Sequence, residues 1–297
     1  MARVNIKSTT EKQAKVSRVL TFSCVDGPGN RLVIFLQGCN FDCISCHNPH
    51  TISHCNHCGD CVPHCPSDAL SLDADLKVKW DPSKCTQCDK CIDVCQYKSN
   101  PKIQHFSVSQ MIDLIRRNHV FLSGITVSGG EATLQIGFIV DLFKAIKLDA
   151  ELHHLSCFID SNGSLSLSGW QKVEPYLDGA MIDLKAWQNE THQWLVGRDN
   201  HRVFQSMTYL ADVEKLYEVR LLHIPGKTDL QSEVESVGHY LNRLPESVKV
   251  RLNAFQHHGV IGEALQWEKC GEEDMMTFHQ ELIQYVKRDI QLPSVYM

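Results

Sequence analysis

No stretch of this 297-residue chain is long and apolar enough to span a bilayer. Its first fifteen residues, Met1 to Lys15, are polar and mixed in charge, without the apolar stretch of a secretory signal. An excess of positive charge is missing too: 29 Lys and Arg stand against 35 Asp and Glu, which leaves no basic stripe for a nucleic acid to follow. These absences point to a cytoplasmic protein with no nucleic-acid partner and no membrane partner. What the chain has in plenty is cysteine, and eleven of its fourteen fall between Cys39 and Cys95. Disulfides are rare in a reducing cytosol, so dense short spacings read as metal ligands. Cys24, Cys157 and Cys270 lie apart and read as small apolar residues.

The apolar pattern alternates between two periods. Arg31–Gln37, Gly124–Ser128, Leu155–Ile159, Ala180–Leu184, Tyr217–Ile224 and Val248–Phe255 read as buried strands. Helical spacing appears at Ser107–Asn118, at Leu134–Leu148 (Phe138, Ile139, Leu142, Phe143 and Ile146 on one face) and at Asp274–Lys287. Six strands alternating with helices predict a parallel α/β sheet, open or curled toward a barrel, with its ligand beyond the carboxyl ends of the strands. Between about His50 and Pro101 the texture changes to short Cys-rich loops with repeated prolines, which reads as an insert.

Cys39-Asn-Phe-Asp-Cys43-Ile-Ser-Cys46 puts three thiolates on one short loop. Such a loop can hold three irons of an iron–sulfur cube and leave the fourth open, as a catalytic zinc site keeps an open position. A structural zinc knuckle with His47 as fourth ligand fits less well, because such knuckles favour paired Cys-x-x-Cys units.

Within the insert, Cys55-x-x-Cys58-x-x-Cys61-x-x-x-Cys65-Pro66 is the bacterial ferredoxin ligand run. Cys85-x-x-Cys88-x-x-Cys91-x-x-x-Cys95 repeats it with Gln96 for the proline. In two-cluster ferredoxins the fourth cysteine of each run ligates the other cluster. That rule assigns Cys55, Cys58, Cys61 and Cys95 to one 4Fe–4S cluster, and Cys85, Cys88, Cys91 and Cys65 to another. Zinc would need only four ligands per ion, so eight cysteines at doubled spacing weigh against it. The insert reads as an electron relay, with a structural or docking role as the alternative.

Around the first cysteine motif, Asp26-Gly27-Pro28-Gly29, Gln37-Gly38-Cys39 and Cys46-His47-Asn48-Pro49 resemble the radical S-adenosylmethionine (SAM) signature as glycyl-radical-enzyme activases of the pyruvate formate-lyase activase type carry it. Ser128-Gly129-Gly130-Glu131-Ala132 resembles that family's GGE motif, Asp183-Leu184-Lys185 its DLK motif, and Asp160-Ser161-Asn162-Gly163 its DTNG turn with Ser for Thr. The resemblance implies a radical SAM partial (β/α)6 barrel with an inserted two-cluster bacterial ferredoxin-like module. Residues 1–49 would hold the tail, the first strand and the cluster loop, 50–105 the insert, and 106–297 the rest of the barrel. SAM contacts are implied for Ser45, His47, Gly129, Gly130, Glu131, Asp183, Leu184 and Lys185. At the last strand the family's adenosine-contacting His aligns with Gln256, with His257 and His258 adjoining. A monovalent cation beside SAM is implied for Asp160, Ser161 and Met181.

The chemistry so implied uses three 4Fe–4S clusters and SAM. Reductive cleavage of SAM yields a 5′-deoxyadenosyl radical, which takes hydrogen from a glycine on a loop of a partner glycyl-radical enzyme. Flavodoxin or ferredoxin would supply the electron. The rival readings are a radical SAM enzyme acting on a small molecule with auxiliary clusters, and a ferredoxin-type electron carrier; the latter leaves the strand-end motifs without a purpose.

Overall fold

The computed structural model of the protein describes residues 12–293. Eleven strands occur among them: β1 (Gln13–Ser23), β2 (Arg31–Leu36), β3 (Leu70–Leu72), β4 (Val78–Trp80), β5 (Gln104–Ser107), β6 (Gly124–Gly129), β7 (Ser156–Ser161), β8 (Gly179–Leu184), β9 (Leu216–His223), β10 (Lys249–Ala254) and β11 (Ile290–Gln291). The helices are α1 (Lys90–Asp93), α2 (Val108–Asn118), α3 (Ile136–Leu148), α4 (Leu167–Val173), α5 (Asn189–Val196), α6 (His201–Asp212), α7 (Val234–Leu241) and α8 (Glu272–Leu282). All six expected strands occur, as β2 and β6 to β10, each within two residues of its expected bounds.

One nine-stranded sheet runs in the order β11-β10-β9-β8-β7-β6-β2-β1-β5. From β2 to β11 every pairing is parallel, whereas β1 lies antiparallel to both β2 and β5. Helices cross between the parallel strands, and the sheet ends at β5 and β11 without closing, so it is a partial barrel. The β1–β5 extension corrects the expectation of a polar tail as far as Lys15, because β1 starts at Gln13. Its alternation is weak: Ala14 and Val16 point inward among polar neighbours, so the strand carries half the apolar signal of a doubly covered one. Residues 1–11 of that tail lie outside the described residues.

Local chemistry explains where the helices begin and stop. Ser107 caps α2 by accepting from the Gln110 amide at 3.2 Å, while the Gln110 side chain accepts from the Ser107 amide at 2.9 Å, a reciprocal capping box. The stripe Phe138, Ile139, Leu142, Phe143 and Ile146 of α3 is buried, as its spacing predicts. By contrast α8 stops at Leu282, short of the expected Lys287. The Asn242 side chain takes over there, donating to Tyr285 O at 2.6 Å and accepting from Lys287 N at 3.0 Å, which draws that backbone out of the helical ladder.

Nearly all buried apolar side chains join one cluster, which runs from Ala14 to Ile290. A second cluster, in the insert, contains only Cys61, Leu70, Val78 and Cys91 as buried members. The insert has little core of its own.

Candidate active site

The carboxyl ends of the parallel strands deliver the polar motifs to one cavity of about 530 Å³. Cys39, Cys43 and Cys46 line it, with Ser45 and His47 from the same loop. The loop after β2 reaches this place because its backbone is fastened on both sides. Cys39 N donates to Ile52 O at 2.9 Å, while Asp42 N and Ile44 N donate to Val196 O and Leu195 O at the end of α5.

Opposite, β6 ends in Gly129-Gly130, and a side chain at either would collide with main chain. A Cβ on Gly129, whose φ is +128°, would lie 2.2 Å from Leu36 O; one on Gly130 would lie 2.5 Å from Gly38 O. The glycine pair therefore lets three backbone segments meet at the cavity wall. Glu131, almost fully buried, uses its carboxylate inside the protein. It accepts from Thr133 N at 3.0 Å, from Ser161 Oγ at 2.8 Å, from Asn162 N at 2.7 Å and from Thr133 Oγ1. Burial raises its pKa against the pull of those bonds. Its side chain thus ties the end of β6 to the end of β7.

The floor is a set of buried charges. Asp183 Oδ2 accepts from Lys185 Nζ at 2.9 Å. Asp160 Oδ1 accepts from Arg220 Nη1 at 3.0 Å, and its Oδ2 from Ser128 Oγ at 2.9 Å. Arg220 also donates to Glu218 Oε1 at 2.6 Å and to Met181 Sδ at 3.0 Å. Burial alone would raise the Asp183 carboxyl, but Lys185 and Arg220 hold it below the usual carboxylate range. Burial keeps Asp160 above that range despite Arg220. Lys185 is desolvated yet held charged by Asp183, so its pKa is raised. Among the described residues Asp183 Oδ1 is buried without a hydrogen-bond partner, which leaves an acceptor free at a residue that lines the cavity.

Most residues singled out in the sequence stand at this cavity: the three cysteines, Ser45, His47, Gly129, Gly130, Glu131, Asp160, Ser161, Asp183 and Lys185. Leu184 packs into the apolar core instead. Gln256 and His257 do not line the cavity either. Gln256 Nε2 donates to Cys270 O, and His257 Nε2 lies 2.8 Å from Trp267 O, so both side chains fasten the segment after β10. Asn253 and Ala254 line the cavity there. Of the trio named for a cation, Met181 is wholly buried beneath Arg220, and the positive charge that Asp160 and Met181 meet is that guanidinium. Arg220, Asp26 and Asn253 line the cavity without having been singled out in those roles.

Burial sets the state of the thiols. It pushes Cys39 up to about 12 and Cys43 up to about 11, and it raises Cys46 as well; Lys185 opposes the rise at the last two. Without a cation among them the three thiols keep their protons, and iron would replace those protons on binding. A cluster there would find three sulfurs on one loop and Lys185 nearby to offset its negative charge.

In the insert, Cys65, Cys85, Cys88 and Cys91 border one cleft. Besides burial, Cys58 and Cys95 lie close enough to Cys55 to help raise its thiol electrostatically, and Cys55, Cys91 and Cys58 do the same at Cys61, so the two runs meet there. The two runs also repeat each other's backbone. Left-handed φ values occur at His57 and Gln87, at Gly59 and Asp89, and at Asp68 and Lys98, each pair thirty residues apart. For residues other than glycine such conformations are uncommon. Alternating left- and right-handed residues turn successive amides into one concavity, the form that receives anionic iron–sulfur clusters.

A profile of the Radical SAM superfamily matches residues 33–236, more than half of the chain. The isethionate sulfite-lyase activating enzyme of Desulfovibrio desulfuricans is 25% identical over 256 residues, covering 79% of this chain and 81% of that protein. The pyruvate formate-lyase 1-activating enzyme of Escherichia coli is 28% identical over 271 residues, 87% of each chain. Among solved structures, QueE from Escherichia coli superposes with a TM-score of 0.50 at 13% identity, over 94% of both chains, a likeness of fold.

Proposed function

The chain belongs to the radical SAM superfamily, and from that membership we propose that it is the activating enzyme of a glycyl-radical enzyme. The observation that carries the proposal is the meeting, in one cavity, of Cys39, Cys43 and Cys46 with the Gly129-Gly130 wall and the Asp183–Lys185 pair. Relatives named as activating enzymes match it over most of its length. Membership brings SAM and one 4Fe–4S cluster. When bound, a reduced cluster held by Cys39, Cys43 and Cys46 would supply the one electron needed to cleave the sulfonium of SAM to methionine and a 5′-deoxyadenosyl radical.

The chain's own residues bind, orient and shield. Asp183 Oδ1 offers an unpartnered acceptor to the amino group of SAM, and Lys185 and Arg220 face its carboxylate. Gly129 and Gly130 allow SAM to approach main chain, and Ser45 and His47 line the cluster side. Leu184 acts by setting the end of β8. Gln256 and His257 hold the loop beyond β10 rather than touch the adenosine. A monovalent cation at Asp160, Ser161 and Met181 would have to share Asp160 with Arg220. No side chain is required as a general acid or base, because the hydrogen taken from the glycine α-carbon travels as an atom.

The insert, residues 50–105, completes the proposal as a ferredoxin-like module with two further 4Fe–4S clusters, between a first segment (1–49) and the rest of the barrel (106–297). The paired left-handed residues and the gathering of Cys65 with Cys85, Cys88 and Cys91 support crossed ligation. A flavodoxin or ferredoxin would be the electron donor, in a cytoplasmic setting that keeps thiols reduced.

The test is anaerobic mixing of reconstituted protein, SAM and reductant with a candidate partner whose loop glycine carries deuterium at the α-carbon. A glycyl radical signal should appear, with deuterium in the 5′-deoxyadenosine. Transfer from a small metabolite, and none from the glycine, would reverse the assignment.

A further inference from the structure

We propose that the two cysteine sets of the insert stand in series, Cys55, Cys58, Cys61 and Cys95 next to the radical SAM loop and Cys65, Cys85, Cys88 and Cys91 on the donor side. This rests on the two-cluster reading of the insert and adds a direction to it. Crossed ligation takes three cysteines from the first run and the last from the second, so Cys55 and Cys95 sit at the two ends of the insert.

Both ends are fastened to the catalytic loop. On the entry side, Gly38 N donates to Thr51 O at 2.8 Å and Cys39 N to Ile52 O at 2.9 Å. The Gln37 side chain adds bonds to His50 O at 2.8 Å and Ser53 O at 2.6 Å. On the exit side, Ser53 N donates to Lys98 O at 3.0 Å, and Ser53 bridges Ser99 in parallel fashion. The hydroxyl of that same Ser99 lies 3.5 Å from Cys95 Sγ. Lys98 closes the connection through an ion pair with Asp42, which lies inside the first cysteine motif.

Chain reach puts a bound on the separation. Hydrogen-bonded neighbours lie about 5 Å apart, and three extended residues from Ile52 to Cys55 add at most about 11 Å, so the Cys39 and Cys55 Cα atoms stay within about 16 Å. Among the described residues, no main-chain hydrogen bond joins Cys65, Cys85, Cys88 or Cys91 to that loop. Electron transfer slows steeply with distance, so the fastened set is the one placed to hand an electron to the radical SAM site. One electron enters and one leaves each set, with no atom transferred. The donor is a one-electron protein of the flavodoxin or ferredoxin class, and the final acceptor is the SAM sulfonium.

The experiment is electron paramagnetic resonance on the full chain, reconstituted anaerobically and reduced, with iron content measured first. The radical SAM cluster is recognised by the change of its signal on adding SAM. In the native protein its spin relaxation should be accelerated by a reduced neighbour. That acceleration should persist in Cys85→Ala/Cys88→Ala and disappear in Cys55→Ala/Cys58→Ala. Cys95→Ala, at the opposite end of the insert, should repeat the loss. The reversed pattern, or equal loss in both double variants, overturns the order alone. Iron for only one or two clusters in the native protein would instead remove the two-cluster reading and the order with it.

Discussion

The barrel and the insert present cysteine in opposite ways. In the barrel, three cysteines ride on a loop fixed by a large apolar core and by main-chain bonds to α5 and to the stretch around Ile52. The insert's second apolar cluster has four buried members, two of which are cysteines. A fully buried leucine, isoleucine or phenylalanine contributes roughly 1.5–3 kcal/mol, so Leu70 and Val78 cannot order such a segment by burial alone. The barrel positions its cluster, whereas in the insert the clusters would supply the fold, as metals do in other small domains. On that proposal the same residue type holds a cluster on a ready-made loop in one region and would also staple the fold in the other.

The sharpest way to break this contrast is to remove one cysteine from each region. Cys43→Ala should abolish reductive cleavage of SAM, because the open iron is no longer held. Cys88→Ala should leave SAM binding intact and slow cleavage driven by a protein donor. Product formation followed with flavodoxin or ferredoxin as donor checks both, and a normal rate in the Cys88 variant would make the insert structural.

A second test strips the clusters with a chelator under reducing conditions. Proteolysis should then cut within residues 50–105 while the barrel remains as a resistant core, read by mass spectrometry of the fragments. Equal loss of both regions would show that the barrel too depends on its cluster.

Packing defects should sort the other way. Leu142, fully buried on α3, belongs to the main core. Leu142→Ala should cost the barrel about 2–5 kcal/mol in denaturant unfolding. Spectra of the clusters proposed for the insert should stay unchanged until that unfolding begins.

The smallest effect concerns pH. Burial lowers the pKa of His192 and His223 below the ordinary 6.5. Their folded pKa values are depressed, so below pH 6.5 the unfolded chain binds protons that the folded chain does not. Stability of the barrel should therefore fall as pH drops through that region, and urea midpoints at pH 7.5 and about 5.5 will measure it. Substituting Gln for each His should flatten the slope.

Much of the fold was legible because doubly covered strands carry apolar runs: β2 and β6 to β8 announce themselves that way, and β9 and β10 by apolar residues alternating with polar and charged ones. β1 and β5 were not, since an outer strand alternates weakly and β5 is only Gln104–Ser107. At the site, clustered motifs were legible and single residues were not. Arg220 lies within an alternating strand, and nothing local distinguishes it from any charged residue facing solvent. Gln256 and His257 carry groups suited to a ligand, yet the backbone after β10 turns both toward the carbonyls of Cys270 and Trp267.

By itself the sequence determined which cysteines share a short loop, because their spacing is a local property, and that spacing sets how many sulfurs could reach one cluster. It also determined which strands are buried and which motifs sit at their carboxyl ends, since both follow from neighbours along the chain. Only the tertiary structure decided that Arg220 comes to rest between Asp160, Glu218 and Met181, and that Asp26 reaches the cavity from before β2. It alone decided that both ends of the insert are fastened to the cluster loop. Apart from the neighbouring pair Glu218 and Arg220, those meetings join residues from about a dozen to sixty positions apart, and they depend on sheet order and loop closure, which no short run of residues encodes.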